Sequence, residues 1–130
     1  MKEENQIDSK FIDSSLLIAF IIDGRGKEII SKPDIFLISV LSLFEVHKKL
    51  LQFNINEDKI SNYLNFIKRK SVVINVDEKV AVKAVEFSHK NDLPAIDSLI
   101  YASAVLNNAT LFTLDNDFRG LKNVIVMEVR

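Results

Sequence analysis

Short apolar runs of strand length alternate with longer segments of helical period along the whole chain, and few folds accept that order. Residues 10–13 end a short run, Lys-Phe-Ile-Asp. After Ser14 and Ser15 come Leu16, Leu17, Ile18, Phe20 and Ile21 at helix-compatible spacing. A strand that feeds straight into a helix is the first half of a βα unit. The same reading predicts strands over 36–41, 72–76, 110–114 and 124–129. It predicts helices over 42–53, 57–70 and 95–106, the last opened by Pro94. A further helix follows Asp77 as its cap, with Val80, Ala84, Val85 and Phe87 as the buried stripe. Asp23-Gly24-Arg25-Gly26 reads as a loop, and Pro33-Asp34 as the start of a new segment. The expected class is α/β, with a central, mainly parallel β-sheet flanked by helices on both faces.

A chain of 130 residues is expected to form one domain over 1–130, since two separate cores would each be too small. Residues 1–8 are polar and acidic and are expected to be a flexible lead-in. They lack the positive charge and apolar stretch of a signal peptide. The longest apolar run, 14–22, falls short of the ~20 residues a spanning helix needs. The expected location is the cytoplasm, with no membrane partner. There is no cysteine, so disulfides, thiolate zinc sites and thiol nucleophiles are excluded. The formal net charge is −1. A polyanionic partner would therefore be held by a local patch or through metal ions rather than by a basic surface.

The informative residues are acids set among apolar neighbours, because carboxylates are rarely buried unless paired or bound to a cation. Asp13 stands where the first strand meets the first helix, the edge at which parallel α/β folds place ligands; a helix cap formed by Asp13, Ser14 or Ser15 is the plain alternative. Asp97 is the only charge in the helix Ala-Ile-Asp-Ser-Leu-Ile-Tyr-Ala-Ser-Ala-Val-Leu. A helix apolar on nearly every side is buried on nearly every side, and the alternative is a first-turn acid favoured by the helix dipole. Glu45 lies in Leu-Ser-Leu-Phe-Glu-Val-His, with an exposed Glu45–Lys49 pair as its alternative. Asp115 and Asp117 follow a strand in Leu-Asp-Asn-Asp-Phe, where the alternative is an ordinary Asx turn. In a parallel sheet these positions converge on one edge. Like charges gathered there must protonate or be neutralised by a cation, and all-oxygen donors select a hard ion such as Mg²⁺ or Mn²⁺. His47 and His89 sit on different predicted helices, which argues against zinc; His47 reads as a surface histidine.

Four blocks in order then resemble a known family: Phe-Ile-Asp-Ser-Ser, Leu-Ser-Leu-Phe-Glu-Val, Ala-Ile-Asp-Ser-Leu-Ile-Tyr-Ala-Ser-Ala and Leu-Phe-Thr-Leu-Asp-Asn-Asp-Phe. Together they resemble the PIN-domain nucleases, and among them the VapC-type toxins of toxin–antitoxin pairs. The resemblance runs from Phe11 to the C-terminus. It implies that Asp13 and Asp97 are principal metal ligands and Glu45 a third acid. Asp115 is favoured as the fourth, with Asp117 serving instead or as well. Ser14 and Thr113 match supporting polar positions.

The activity so implied is hydrolysis of RNA phosphodiester bonds by one or two Mg²⁺ or Mn²⁺ ions. RNA outside the pocket would meet Lys48, Lys49, Arg25, Lys27, Arg119 and Lys122, each of which also reads as plain surface charge. Lys68-Arg69-Lys70 reads as a helix C-terminus. Family habit implies a homodimer and an antitoxin that blocks the acidic pocket. The alternatives are a nuclease of RNA processing, a phosphatase of similar topology, and a catalytically silent interaction module. An aspartyl-phosphate phosphatase usually wants a second Asp two residues after the first, and Ser15 stands there.

Overall fold

The computed structural model describes residues 9–128. The lead-in expected over 1–8 lies outside the described residues. Five strands form one sheet in the order β3-β2-β1-β4-β5, and all four pairings are parallel. The strands are β1 (Ser9–Ile12), β2 (Phe36–Ser39), β3 (Ser71–Ile74), β4 (Ala109–Thr113) and β5 (Val124–Val126). The helices are α1 (Ser14–Asp23), α2 (Lys27–Ile30), α3 (Val40–Gln52), α4 (Glu57–Lys70), α5 (Glu78–Asn91) and α6 (Ala95–Leu106).

Both faces of the sheet are covered, as a parallel sheet requires. Adjacent side chains on a strand point to opposite faces, so Phe11 and Ile12 open two different cores. Ile12 packs with Ile38, Leu16, Leu17, Val46, Leu50, Ile60 and Ile67, which brings α1, α3 and α4 onto one face. Phe11 packs with Leu111, Ala109, Ile100, Tyr101 and Ala104, which brings α6 onto the other. α5 then packs on α6 through Val80, Ala84 and Ala102. Each fully buried Leu, Ile or Phe contributes roughly 1.5–3 kcal/mol of burial.

The α4 helix forms over the residues expected. Its cap, Asn56, accepts from Lys59 N at 2.9 Å, and its last turn carries Lys68, Arg69 and Lys70. Asp77 caps α5 as expected, accepting from Val80 N at 3.0 Å.

Other expectations are corrected. The second strand stops at Ser39 rather than running to residue 41, because the Ser39 hydroxyl caps α3 by accepting from Leu41 N at 3.0 Å. The last strand ends at Val126, not at 129. Val85 is 65% exposed and does not belong to the buried stripe. A short helix, α2, which the sequence reading does not include, follows the expected loop at Gly26. Among the described residues no helix is long and apolar enough to cross a membrane.

Candidate active site

The strand order reverses between β1 and β4: the chain builds β2 and β3 on one side of β1, then β4 and β5 on the other. Such a switch point leaves a crevice at the carboxyl ends of the strands. Asp13 leaves the end of β1 there, and Asp115 follows the end of β4. Helices that return antiparallel to the strands begin at the same edge. Asp97 therefore arrives in the first turn of α6, and Glu45 in the first half of α3.

Asp13 occupies the N-cap position of α1, yet its carboxylate makes no capping bond. The helix is started by the Asp13 carbonyl, which accepts from Leu16 N at 3.1 Å and Leu17 N at 3.3 Å. The side chain is buried instead, 3% exposed with its residue, and is held by hydroxyls. Two hydroxyls, Thr113 Oγ1 and Ser15 Oγ, each donate to its Oδ2 at 2.7 Å. Burial pushes the Asp13 carboxyl above its usual range, and the two hydroxyls oppose that shift. Thr113 Oγ1 also accepts from Asp115 N at 2.9 Å, and Ser15 Oγ accepts from Leu114 N at 3.0 Å. These two hydroxyls tie the end of β1 to the loop after β4.

Glu45 does not pair with Lys49. Its Oε1 accepts from Ser14 Oγ at 2.8 Å, while Lys49 Nζ lies 5.9 Å from the centre of the Phe53 ring. The carboxyl is raised by burial and by the charges of Asp13 and Asp115, against the Ser14 bond. His47 lies away from these acids in its bonding, with Nε2 3.1 Å from Glu57 Oε1.

Asp97, Asp115 and Asp117 each bring one carboxylate oxygen to within 4.8 Å of the others. Asp115 also shapes its own turn, since its Oδ1 accepts from Asp117 N at 2.9 Å and caps the 3₁₀ turn Asn116–Phe118. Asp97 is raised to about 7, first by burial and then by the charges of Asp115, Asp13, Asp117 and Glu45. The other four acids therefore all act on Asp97, while Asp13 and Glu45 lie outside the set of three close oxygens. Three carboxylate oxygens this close are a donor set suited to a hard divalent cation.

The flanking cations divide. Lys48 and Lys49 line a groove of about 590 Å³ together with Glu45. Arg25 and Lys27 line a different hollow beside Gly24 and Glu28, and Arg25 Nε is paired with Asp23 Oδ1 at 2.9 Å. Arg119 is held by Asn116 Oδ1 at 2.8 and 3.1 Å, two residues past Asp117. The Lys122 carbonyl accepts from the Tyr101 hydroxyl at 2.6 Å.

Sequence reasoning missed the role of Ser15 and assigned support to Ser14. The structure has both: consecutive helical residues point about 100° apart, so Ser15 serves Asp13 and Ser14 serves Glu45. Two hydroxyls opening an otherwise apolar helix were the available signal. Phe44, 65% exposed, was also overlooked.

The sequence matches the family model for the PIN domain over residues 10–124. No curated protein matches it at a significant level. Among solved structures, one chain of a toxin–antitoxin complex from Klebsiella pneumoniae superposes with a TM-score of 0.78 at 23% identity, covering 93% of this chain and 100% of that one. VapC20 of Mycobacterium tuberculosis, a toxin that cleaves the sarcin–ricin loop, superposes with a TM-score of 0.71 at 18% identity, covering 93% and 100%. A chain of VapBC2 from Rickettsia felis, solved bound to a DNA fragment from its promoter, gives 0.71 at 18% identity, covering 89% and 95%.

Proposed function

This chain belongs to the PIN-domain family, and on that premise we propose that it hydrolyses RNA phosphodiester bonds with one or two Mg²⁺ or Mn²⁺ ions, as the toxin of a VapBC-type pair. The observation that carries the reading is the meeting of the Asp97, Asp115 and Asp117 oxygens within 4.8 Å, in a crevice where Asp13 and Glu45 add to the same field. Asp97 and Asp115 would hold the principal cation with Asp117 beside them; Asp13 lies outside this three-oxygen set, and its place as a further ligand rests on the family resemblance. When bound, the cation supplies a water acidified towards neutral pKa and screens charge building on the phosphate oxygens.

The chain's own residues do the positioning. Thr113 and Ser15 fix Asp13 through the same oxygen, Oδ2, and neither takes Oδ1. Ser14 fixes Glu45 through Oε1, which places that carboxylate to orient the attacking water or to take a second cation. The acids repel a phosphodiester until they are neutralised, so substrate affinity and catalysis share one dependence on metal.

The toxin assignment draws support from the fold likeness to a chain of a toxin–antitoxin complex and to VapC20. It brings with it an antitoxin partner, a homodimer and a cytoplasmic setting as parts of the same proposal. A role in RNA processing uses the same site, and an antitoxin gene beside this one would separate the two.

The test is cleavage of a labelled RNA by protein free of any partner, in Mg²⁺, in Mn²⁺ and in EDTA, with Asp97→Asn alongside. Metal-dependent cutting by wild type and none by the variant is the expected result. Equal cutting by both overturns the site. No cutting of any RNA, with a divalent ion still bound by calorimetry, moves the chain to the silent interaction module.

A further inference from the structure

A groove between α1, α3 and the start of α6 shares Glu45 with the acidic site. Ser14 and Ser15, which hold Glu45 and Asp13, also line it. Phe44 and Ile96 line it too, and each directly precedes a site acid, Glu45 and Asp97. Neither is core: Phe44 is 65% exposed and Ile96 40% exposed. Lys48, Lys49 and Gln52 continue the α3 wall. Lys48 Nζ stands 5.9 Å from the centre of the Phe44 ring. Neither lysine has a carboxylate within ion-pairing distance among the described residues.

An exposed aromatic ring, an aliphatic side chain lining the same groove and two ammonium groups without a carboxylate partner make a specific combination. An apolar peptide would use the ring and the aliphatic side chain and leave both ammonium groups unmatched. A phosphodiester strand uses everything: bases have π-faces for the ring, and phosphates answer the lysines. The groove shares Glu45 with the site at which the scissile phosphate would be held.

Resting on the nuclease reading, we propose that Phe44 is a stacking platform for the unpaired base next to the cleaved phosphate. Lys48 and Lys49 hold the phosphates beyond it. The groove then selects single-stranded or looped substrate over duplex, because a base must leave its own stack to reach the ring. Phe44 is a specificity residue that touches substrate and takes no part in the chemistry.

The experiment uses the full chain with fluorescent single-stranded RNA 10-mers and the matching duplex, binding being read in Ca²⁺ in place of Mg²⁺ and cleavage separately in Mg²⁺. Affinity is compared for wild type, Phe44→Leu, Phe44→Trp and the double variant Lys48→Gln/Lys49→Gln. The ring is exposed, so these variants keep the fold. Leucine keeps apolar bulk without a π-face and should weaken single-strand binding on the order of tenfold, while tryptophan should restore it. The lysine variant should flatten the salt dependence of log K by about 0.7 per lysine. A photo-crosslink from 4-thiouridine should map to Phe44.

Unchanged binding by Phe44→Leu overturns the proposal and gives the groove to a protein partner, even if the enzyme cuts RNA. Metal-dependent cutting with equal affinity for single strand and duplex also overturns it. A crosslink at Phe44 with the expected loss in Phe44→Leu, in a protein that never cleaves, keeps the groove and sinks the nuclease reading instead.

Discussion

Thr113 donates its hydroxyl to Asp13 Oδ2 at 2.7 Å, across 100 positions of sequence. The contact follows from the parallel register of β1 and β4, which pairs Ile12 with Phe112 and so sets the next residues of both strands side by side. Thr113 is fully buried and also receives Asp115 N. One hydroxyl thus orients the acid of one strand and the turn that carries the acid of the other.

Thr113→Val keeps the shape of the side chain and removes both bonds. It leaves Asp115 N without its acceptor and Asp13 with one hydroxyl fewer, a loss on the order of 1–3 kcal/mol in stability. Cleavage should fall by tenfold or more, in line with lost support of metal ligands. Thr113→Ser retains the hydroxyl and should keep most of the activity. Chemical denaturation and single-turnover cleavage read the two effects, and a valine variant with wild-type turnover would remove Thr113 from the site.

Asp97 sets an unusual pH dependence. Its folded value, about 7, lies above its ordinary 3.8, so the folded chain holds a proton that the unfolded chain has released. The contribution to stability is therefore complete below about 3.8 and is lost as pH rises through about 7. Asp13 and Glu45 are shifted in the same direction. In EDTA, Tm should fall between pH 5 and pH 8, and Asp97→Asn should make that fall shallower. Saturating Mg²⁺ should oppose the fall, since metal binding displaces the protons. A variant with the wild-type slope would show that Asp97 is not the group responsible.

Asp115 and Asp117 can be separated by amide substitution. Asn at 115 keeps a capping oxygen for Asp117 N and removes only the charge. Asp115→Asn should therefore fold normally and lose divalent affinity more deeply than Asp117→Asn, by about tenfold or more. Calorimetry with Mn²⁺ gives the order directly. The reverse order would make Asp117 the fourth ligand.

Gly26 is constrained twice. Its φ is +80°, and a Cβ there would lie 2.6 Å from Leu16 Cδ1, a side chain with no exposure into which to retreat. Gly24 has a similar φ of +78° with nothing within 4 Å. Gly24→Ala should cost roughly 1 kcal/mol from backbone strain. Gly26→Ala should cost more, about 2–3 kcal/mol, from strain and overpacking together. Equal losses in thermal unfolding would mean that Leu16 repacks freely.

Buried Ser42 stands apart from these networks. Its Oγ has no hydrogen-bond partner. Removing an unsatisfied hydroxyl recovers part of its desolvation penalty, so Ser42→Ala should be neutral or stabilising by up to about 1 kcal/mol in urea unfolding.

Local signals decided a good deal of this protein. The alternation of short apolar runs with helical periods determined the α/β class, because one period can cover a sheet and the other cannot. Helical period placed α4, and Asp77 placed the start of α5, since a cap needs only backbone three residues away. The four acidic blocks were visible because charge inside apolar sequence needs an explanation. The tertiary structure decided what local signals could not. Asp13 carries the cap position and not the capping bond; Glu45 answers to Ser14 rather than Lys49; the acids of residues 97, 115 and 117 share one small volume. Val85 reads as core and is exposed. The reason is common to all of them. Helical and strand periods are set by bonds between near neighbours, whereas the partner of a side chain in a parallel sheet is set by crossovers and strand order, which bring together residues a hundred positions apart.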